Sequence, residues 1–431
     1  MSADSPGSPE SADSPGTPGS AESPGNSGNP GNPGPSGTPA PSSTPDPLEP
    51  PLGGGPPPDL LYSSAEDELR AAVRALLTDR ADTPALLARA ESGDPYDPAL
   101  WTTLAQDIGA AGLLVPEKLG GQGASHREAA VVLEELGRGV VPAPYLTSSV
   151  IATETLLALV ADHRPARADH RPEHIDRTDR VDRTETASLL AGLAAGRTTA
   201  VLAVPLSTSP YGPLPSGGAP VLGIADAPAA DVLLVLETDG LYAVARPPLT
   251  PQTALDLTRP LAGATPSGGG ARLADRPAGE RAVRRGLLTG AGLLASEQLG
   301  VAEWCLAETV RHTRQRHQFN RPIGSFQALK HRMARIWLEV VSARAAARNA
   351  ADALAAGSPD APTAVAVAQA YTSRVAVHAA EECVQLHAGI GMTWEHPAHL
   401  YLKRAKSAEL ALGSPGSHKH ALAGLIDLQA P

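Results

Sequence analysis

Beyond a long polar stretch, apolar residues first fall into register at Leu69, Val73 and Leu76 in the run SAEDELRAAVRALL. A capping serine and acidic residues in the first turn accompany that spacing, which predicts an amphipathic helix starting near Ser64. Leu100, Leu104 and Ile108 repeat the pattern, and GLLVPEKLGGQGASHREAAVVLEELGRGVVPAPY supplies a glycine-punctuated loop followed by another amphipathic helix. Residues 61–161 therefore read as a helical domain. From Thr198 the period changes to short apolar runs broken by Gly, Pro and Asp: TAVLAVPL, APVLGIAD, ADVLLVLET and GLYAVARP. These predict strands, and residues 187–282 read as a small β domain.

Helical spacing returns with Leu299, Ala302, Leu306 and Val310. It continues on a longer stripe through Phe326, Leu329, Met333, Ile336, Val340, Ala343 and Ala347. Gly357, Ser358 and Pro359 break that helix, Thr363 to Leu386 form a third, and Pro397 begins a fourth that ends near Gly413. Residues 283–428 are thus expected to form a four-helix bundle, and the chain as a whole an α+β protein.

Two segments carry almost no apolar side chains to offset the entropy of ordering. Residues 1–60, as in SPGSPESADSPGTPGS, read as a disordered tail. Residues 162–186, in which DHRP occurs twice, read as a solvated linker. His163, His170 and His174 lie in that linker without a cysteine nearby, and no metal site is expected there.

With 431 residues and 42% hydrophobic content, the remainder is long enough for two or three domains with a sizeable core. The formal net charge of -11 argues against a nucleic-acid partner, which needs clustered Lys and Arg on one face. The two cysteines, Cys305 and Cys383, fall inside helical patterns and read as structural thiols of a reducing compartment. The start lacks a basic stretch and apolar run of secretory type, and no segment offers about 20 uninterrupted apolar residues for a membrane span. A soluble cytoplasmic protein is expected.

Candidate chemistry concentrates near the C-terminal end. In RHQFNRPIGSFQALKHRMA, Arg316, Gln318 and Phe319 place a guanidinium beside an aromatic ring at a helix end. Such a pair suits a pyrophosphate-bearing cofactor, although taken alone it better describes a solvated helix end with a capping arginine. Gln327 follows in the same run. In QLHAGIG, Gln385 ends a helix, and Gly389 and Gly391 permit a tight turn whose backbone N–H groups can approach a phosphate. Glu395 and His396, just before Pro397, suit helix capping at least as well as catalysis.

Together with WEHPAHLYLKRAKSAELALGS, these runs resemble in order and spacing the C-terminal helical domain of acyl-CoA dehydrogenases. Residues 61–161 resemble the N-terminal helical domain of the same family. The resemblance implies a helical domain, a β middle domain and a C-terminal four-helix bundle, with FAD as cofactor and an acyl-CoA thioester as substrate. It assigns Arg316, Gln318, Phe319, Gln327, Gln385, Gly389 and Gly391 to the ADP half of FAD, commonly the FAD of a neighbouring subunit.

Several positions depart from the family pattern. Asn320 and Ala388 stand where glycines are usual. The middle-domain segments that pack on the flavin ring are not visible, so the β domain is expected to be shortened. Leu412 occupies the position of the glutamate that removes the substrate proton, and Gly290 the alternative base position one helix earlier. Glu297 is the nearest remaining carboxylate, read as a solvated or subunit-contact residue before a base. A retained cofactor clamp without a base implies a subunit of a heterotetramer whose partner chain carries the base, in a complex acting on CoA thioesters such as those of steroid side chains. A self-sufficient homotetramer with an unconventional base and a scaffold that binds no flavin are the alternatives.

Overall fold

The computed structural model describes residues 59–162, 183–215, 217–265 and 269–428. The Ser/Pro/Gly-rich tail to residue 58 and the three linker histidines lie outside the described residues. Helix α1 (Ser64–Arg80) opens with a capping box in which the Ser63 hydroxyl accepts from Glu66 N–H and the Glu66 carboxylate accepts from Ser63 N–H. Helices α2 (Thr83–Ser92) and α3 (Pro98–Thr102) follow, the latter continuing into a π-helical turn, Thr103–Asp107. Helix α4 (His126–Gly139) is buried from Ala129 through Gly137.

Burial on that scale reflects a close crossing with the longest helix, α7 (Arg276–Gln315). A Cβ on Gly137 would lie 2.0 Å from the Glu297 carbonyl oxygen, and one on Gly300 would lie 1.9 Å from that of Glu134. The two glycines face each other's helix reciprocally, and only their missing side chains permit the approach. A wholly buried π-helical segment, Tyr145–Ala152, leads into α5 (Thr153–Asp162), and both pack on α7.

Helix α6 (Arg183–Ala194) starts inside the stretch read as linker, four residues before the expected boundary at 187. The β region then comprises β1 (Ala200–Leu202), β2 (Val221–Ala225), β3 (Val232–Leu236), β4 (Gly240–Ala245), β5 (Leu249–Gln252), β6 (Leu261–Ala264) and β7 (Ala271–Asp275). One sheet has the order β1-β3-β4-β7, parallel only between β1 and β3, and the other the antiparallel order β2-β6-β5. Side chains alternate across β3: Val232, Leu234 and Leu236 join the helical core, while Leu233 and Val235 join a smaller core between the sheets. Four strands follow the apolar runs of the sequence; β5, β6 and β7, with the sequences LTPQ, LAGA and ARLAD, contain no run of β-branched or large apolar residues to signal them.

Helix α7 begins at Arg276, capped by Asp275, and carries the Leu299, Ala302, Leu306 and Val310 stripe. A two-strand hairpin, β8 (His317–Gln318) and β9 (Arg321–Pro322), connects it to α8 (Gln327–Ala355). Helices α9 (Ala361–His387), α10 (Ala398–Leu410) and α11 (Pro415–Leu425) complete the chain. The four expected helices are α7 to α10, and α11 follows them. The extra one arises because Gly413, at φ +104°, turns the chain and Ser414 caps a new helix whose first turn carries Pro415.

Candidate active site and cofactor surface

The turn after α10 brings Leu412 into the interior, where it is 1% exposed and its N–H donates to the Leu206 carbonyl at 2.7 Å. It lines a cavity of about 20 Å³ with Ile151, Val201, Leu202, Val204 and Leu287 among its other walls. Gly290 meets the same residues: a Cβ built on it would lie 2.5 Å from Ile151 Cγ1 and 3.2 Å from Leu412 Cδ1. The two positions at which a base was sought are therefore neighbours, both lacking a carboxylate. The space beside them holds about one water, far short of the several hundred Å³ that ligand pockets occupy.

Glu297 lies elsewhere in chemical terms. It is 2% exposed, and its carboxylate accepts from Arg259 Nη2 at 2.8 and 2.6 Å and from Arg404 Nη1 at 2.9 Å. Arg404 also pairs through Nε with Asp256 at 2.6 Å and donates from Nη2 to Thr258 Oγ1 at 2.7 Å. Burial alone would push the Glu297 carboxyl up, but the two guanidinium groups outweigh it and hold the group below the usual carboxylate range. The solvated role read for Glu297 does not fit: it is a buried core anion whose carboxylate accepts three hydrogen bonds from two guanidinium groups. The same buried network extends to Asp226, which accepts from Tyr96 at 2.7 Å and Thr147 at 2.8 Å and whose carboxyl burial raises. Its members come from the β region, α7, α10 and the loops before α3 and α5. Sequence separations of 38 to 146 residues left no local signal of the pairing.

The cofactor candidates are on the outside. The hairpin turns through Phe319 at φ +52° and Asn320 at φ +60°, the two successive left-handed residues of a type I′ turn, for which asparagine is well suited and phenylalanine is not. Phe319 is 85% exposed at its tip. Arg316, Gln318, Gln327 and Gln385 are exposed, and their side chains have no hydrogen-bond partner among the described residues. One helical turn before Arg316, the His312 ring packs on His387 at 4.1 Å between centroids, and His387 immediately precedes the Ala388–Met392 turn. The structure therefore gathers both sequence runs at one end of α7.

Within that turn a Cβ on Gly389 would meet nothing within 4 Å, so its outer face is open to a ligand, whereas one on Gly391 would strike the Val384 carbonyl at 2.6 Å. Gly391 is needed for packing; Gly389 leaves room. Ala388 sits at φ +54°, ψ −132°, a conformation glycine reaches without strain and alanine does not. Of the pair before Pro397, His396 takes a capping role, its Nδ1 accepting from Ala398 N–H at 3.2 Å, and Glu395 is exposed.

Residues 63–163 match the acyl-CoA dehydrogenase N-terminal domain, and residues 278–424 match the acyl-CoA dehydrogenase C-terminal domain. The chain is 36% identical over 354 residues to acyl-CoA dehydrogenase IpdE2 of Mycolicibacterium smegmatis, covering 82% of this chain and 96% of that protein. It belongs to the acyl-CoA dehydrogenase family. Among solved structures it is similar to the Tcur3481-Tcur3483 steroid ACAD, at 26% identity and TM-score 0.69, over 84% of this chain and 98% of that one. It is also similar in fold to the ChsE4-ChsE5 complex from Mycobacterium tuberculosis, at 23% identity and TM-score 0.70, over 86% and 100% of the two chains.

Acyl-CoA dehydrogenases are flavin oxidoreductases, and FAD is the cofactor of the family. FAD, where bound, would supply a hydride acceptor for α,β-dehydrogenation of a thioester, which also needs a base for the α-proton. The open turn at Gly389, the unpartnered Arg316 guanidinium and the exposed Phe319 ring fit the pyrophosphate and adenosine half of such a group. Among the described residues, no helix is long and apolar enough to cross a membrane.

Proposed function

We propose that this chain is the subunit of a two-chain acyl-CoA dehydrogenase that completes an FAD site across a subunit interface, while a partner chain supplies the base and the flavin-ring contacts. The observation that carries this reading is the contrast between the two ends of the α7–α10 helical layer. At one end both base positions, Gly290 and Leu412, lack a carboxylate and pack against Ile151, and the cavity that Leu412 lines holds about 20 Å³. At the other, the groups suited to FAD are exposed and face away from the chain's own interior, so any cofactor they hold is shared with another chain. The similarity to proteins described as a steroid ACAD and as a ChsE4-ChsE5 complex supports a heteromeric partner and a CoA thioester of a steroid side chain or other lipid.

Glu297 counts against self-sufficiency, because its carboxylate is consumed by Arg259 and Arg404. The test is FAD per chain, first for protein purified alone and then for protein coexpressed with an acyl-CoA dehydrogenase-like chain that carries the catalytic glutamate. The expected result is little flavin alone and one flavin per heterodimer, with dehydrogenase activity, on coexpression. One flavin per chain in isolation, with turnover, overturns the proposal. No flavin in either preparation, despite a formed complex, assigns the chain to a scaffold role instead.

A further inference from the structure

We infer that Glu308, His387 and His396 form a binding site for a divalent transition metal of the zinc class, set between the ends of α7 and α9 and the segment that enters α10. One ligand atom from each lies within 4.8 Å of the other two. Glu308 Oε1 stands 3.5 Å from His387 Nε2 and 3.5 Å from His396 Nε2. Two ligands held about 2.0–2.1 Å from a tetrahedral zinc are separated by roughly 3.4 Å, so both spacings suit a shared cation. A direct N–H···O bond would be shorter, about 2.9 Å.

The ring of His387 is set for ligation. Its Nδ1 lies 2.7 Å from the Cys383 carbonyl oxygen, to which it donates, and this leaves the Nε2 lone pair directed at the carboxylate. That nitrogen is buried and has no hydrogen-bond partner among the described residues. The ring packs between His312 and His396, with centroids 4.1 and 4.4 Å away, and is not free to turn.

The remaining two ligands are partly exposed, which gives an ion an entry path. Arg311 holds the Glu308 carboxylate from outside, with Nε 2.7 Å from Oε2, and the oxygens keep further lone pairs for the imidazoles. His396 is the ligand that must change state. Ala398 N–H donates to its Nδ1 at 3.2 Å, which keeps the ring proton on Nε2; ligation through Nε2 requires that proton to move to Nδ1, giving up the long Ala398 bond for a coordinate one. A metal here ties together three segments that bracket the Ala388–Met392 turn, whether or not that turn holds FAD.

Protonation is the competing way to fill the gap between a lone pair and a carboxylate. Burial lowers the pKa of His387, but Cys383 and Glu308 together lift it to about 10, which describes an imidazolium–carboxylate pair. The two answers separate experimentally. The full chain, stripped with chelator, is titrated with zinc chloride in competition with a chromophoric chelator, and with cobalt chloride for its visible spectrum. The expected result is one zinc per chain, a raised Tm and tetrahedral cobalt bands, with Glu308→Gln and His396→Asn each weakening zinc at least about tenfold.

The linker histidines are the control. A chain carrying His163→Asn, His170→Asn and His174→Asn is expected to keep its zinc and its cobalt bands, a readout that stands even if a variant in the cluster does not fold. Loss of the metal in that chain, unchanged binding in folded Glu308→Gln and His396→Asn, or no zinc uptake by the native chain at micromolar concentration each overturns the site.

Discussion

Gly290 on α7 and Leu412 in the turn after α10 stand face to face: a Cβ on the glycine would lie 3.2 Å from Leu412 Cδ1. These are the two positions from which acyl-CoA dehydrogenases are expected to present a base. Both positions lack a carboxylate, and a side chain added at Gly290 would strike Ile151 and Leu412. Replacing one residue therefore does not reopen a site.

Leu412→Glu is expected to give no turnover in this chain and to destabilise it by about 3 kcal/mol. The new carboxylate enters an apolar space that admits about one water and offers it no cation. Thermal melts and a dye-coupled dehydrogenase assay check both parts; measurable turnover with a native melting point would contradict the closed-site reading.

Glu297→Gln removes the shared anion of Arg259 and Arg404 and leaves two buried guanidinium groups short of charge. Breaking such a pair costs about 3–5 kcal/mol. Urea unfolding should show that loss. In the folded, partner-bound enzyme, kcat should stay near the native value, because Glu297 touches no substrate; a large drop in kcat with unchanged stability would restore it as a base.

Arg316→Ala is expected to weaken FAD binding in the assembled complex by about 10- to 100-fold, the worth of one charge-assisted hydrogen bond. Arg316 is exposed and makes no side-chain bond among the described residues, so stability of the flavin-free chain should change by less than about 0.5 kcal/mol. Flavin titration by fluorescence, paired with a melt, separates the two effects.

Ala388→Gly should stabilise the chain by about 1 kcal/mol. The residue sits at φ +54°, where a Cβ is strained, and the strain relieved exceeds the extra entropy glycine brings to the unfolded chain. An unchanged or lower melting point would show that the turn is held by other contacts.

Stability should fall with acid in a defined window. Burial pushes the Glu66 carboxyl up, but hydrogen bonds from Arg127, Ser63 and Arg348 prevail and take it from its ordinary 4.5 to about 2. Glu154 and Glu297 are lowered in the same sense by their cationic partners, whereas burial moves Asp226 the other way. For the lowered groups the unfolded chain binds protons first, so their stabilisation is complete above about pH 4.5 and is lost as pH falls towards 2. Unfolding free energies measured from pH 7 to pH 3 should decline mainly below pH 5, and Glu66→Gln should flatten that limb.

What the sequence by itself determined is what depends on near neighbours. Apolar residues at helical spacing predicted α1, α4 and α8, and short apolar runs broken by Gly, Pro and Asp predicted β1 to β4, because those patterns arise within one element. RHQFNRPIGSFQ and QLHAGIG identified the family because hairpin and turn chemistry is written in consecutive residues. Tertiary structure alone decided the rest. Glu297 looked solvated until Arg259 and Arg404, from other parts of the chain, neutralised it, and His387 became a potential ligand only when α7 brought Glu308 beside it. Gly290 and Leu412, each merely lacking a carboxylate in sequence, proved to be neighbours that share Ile151. Charge pairing, ligand spacing and such contacts depend on distances between elements, and those distances exist only once the helices have packed.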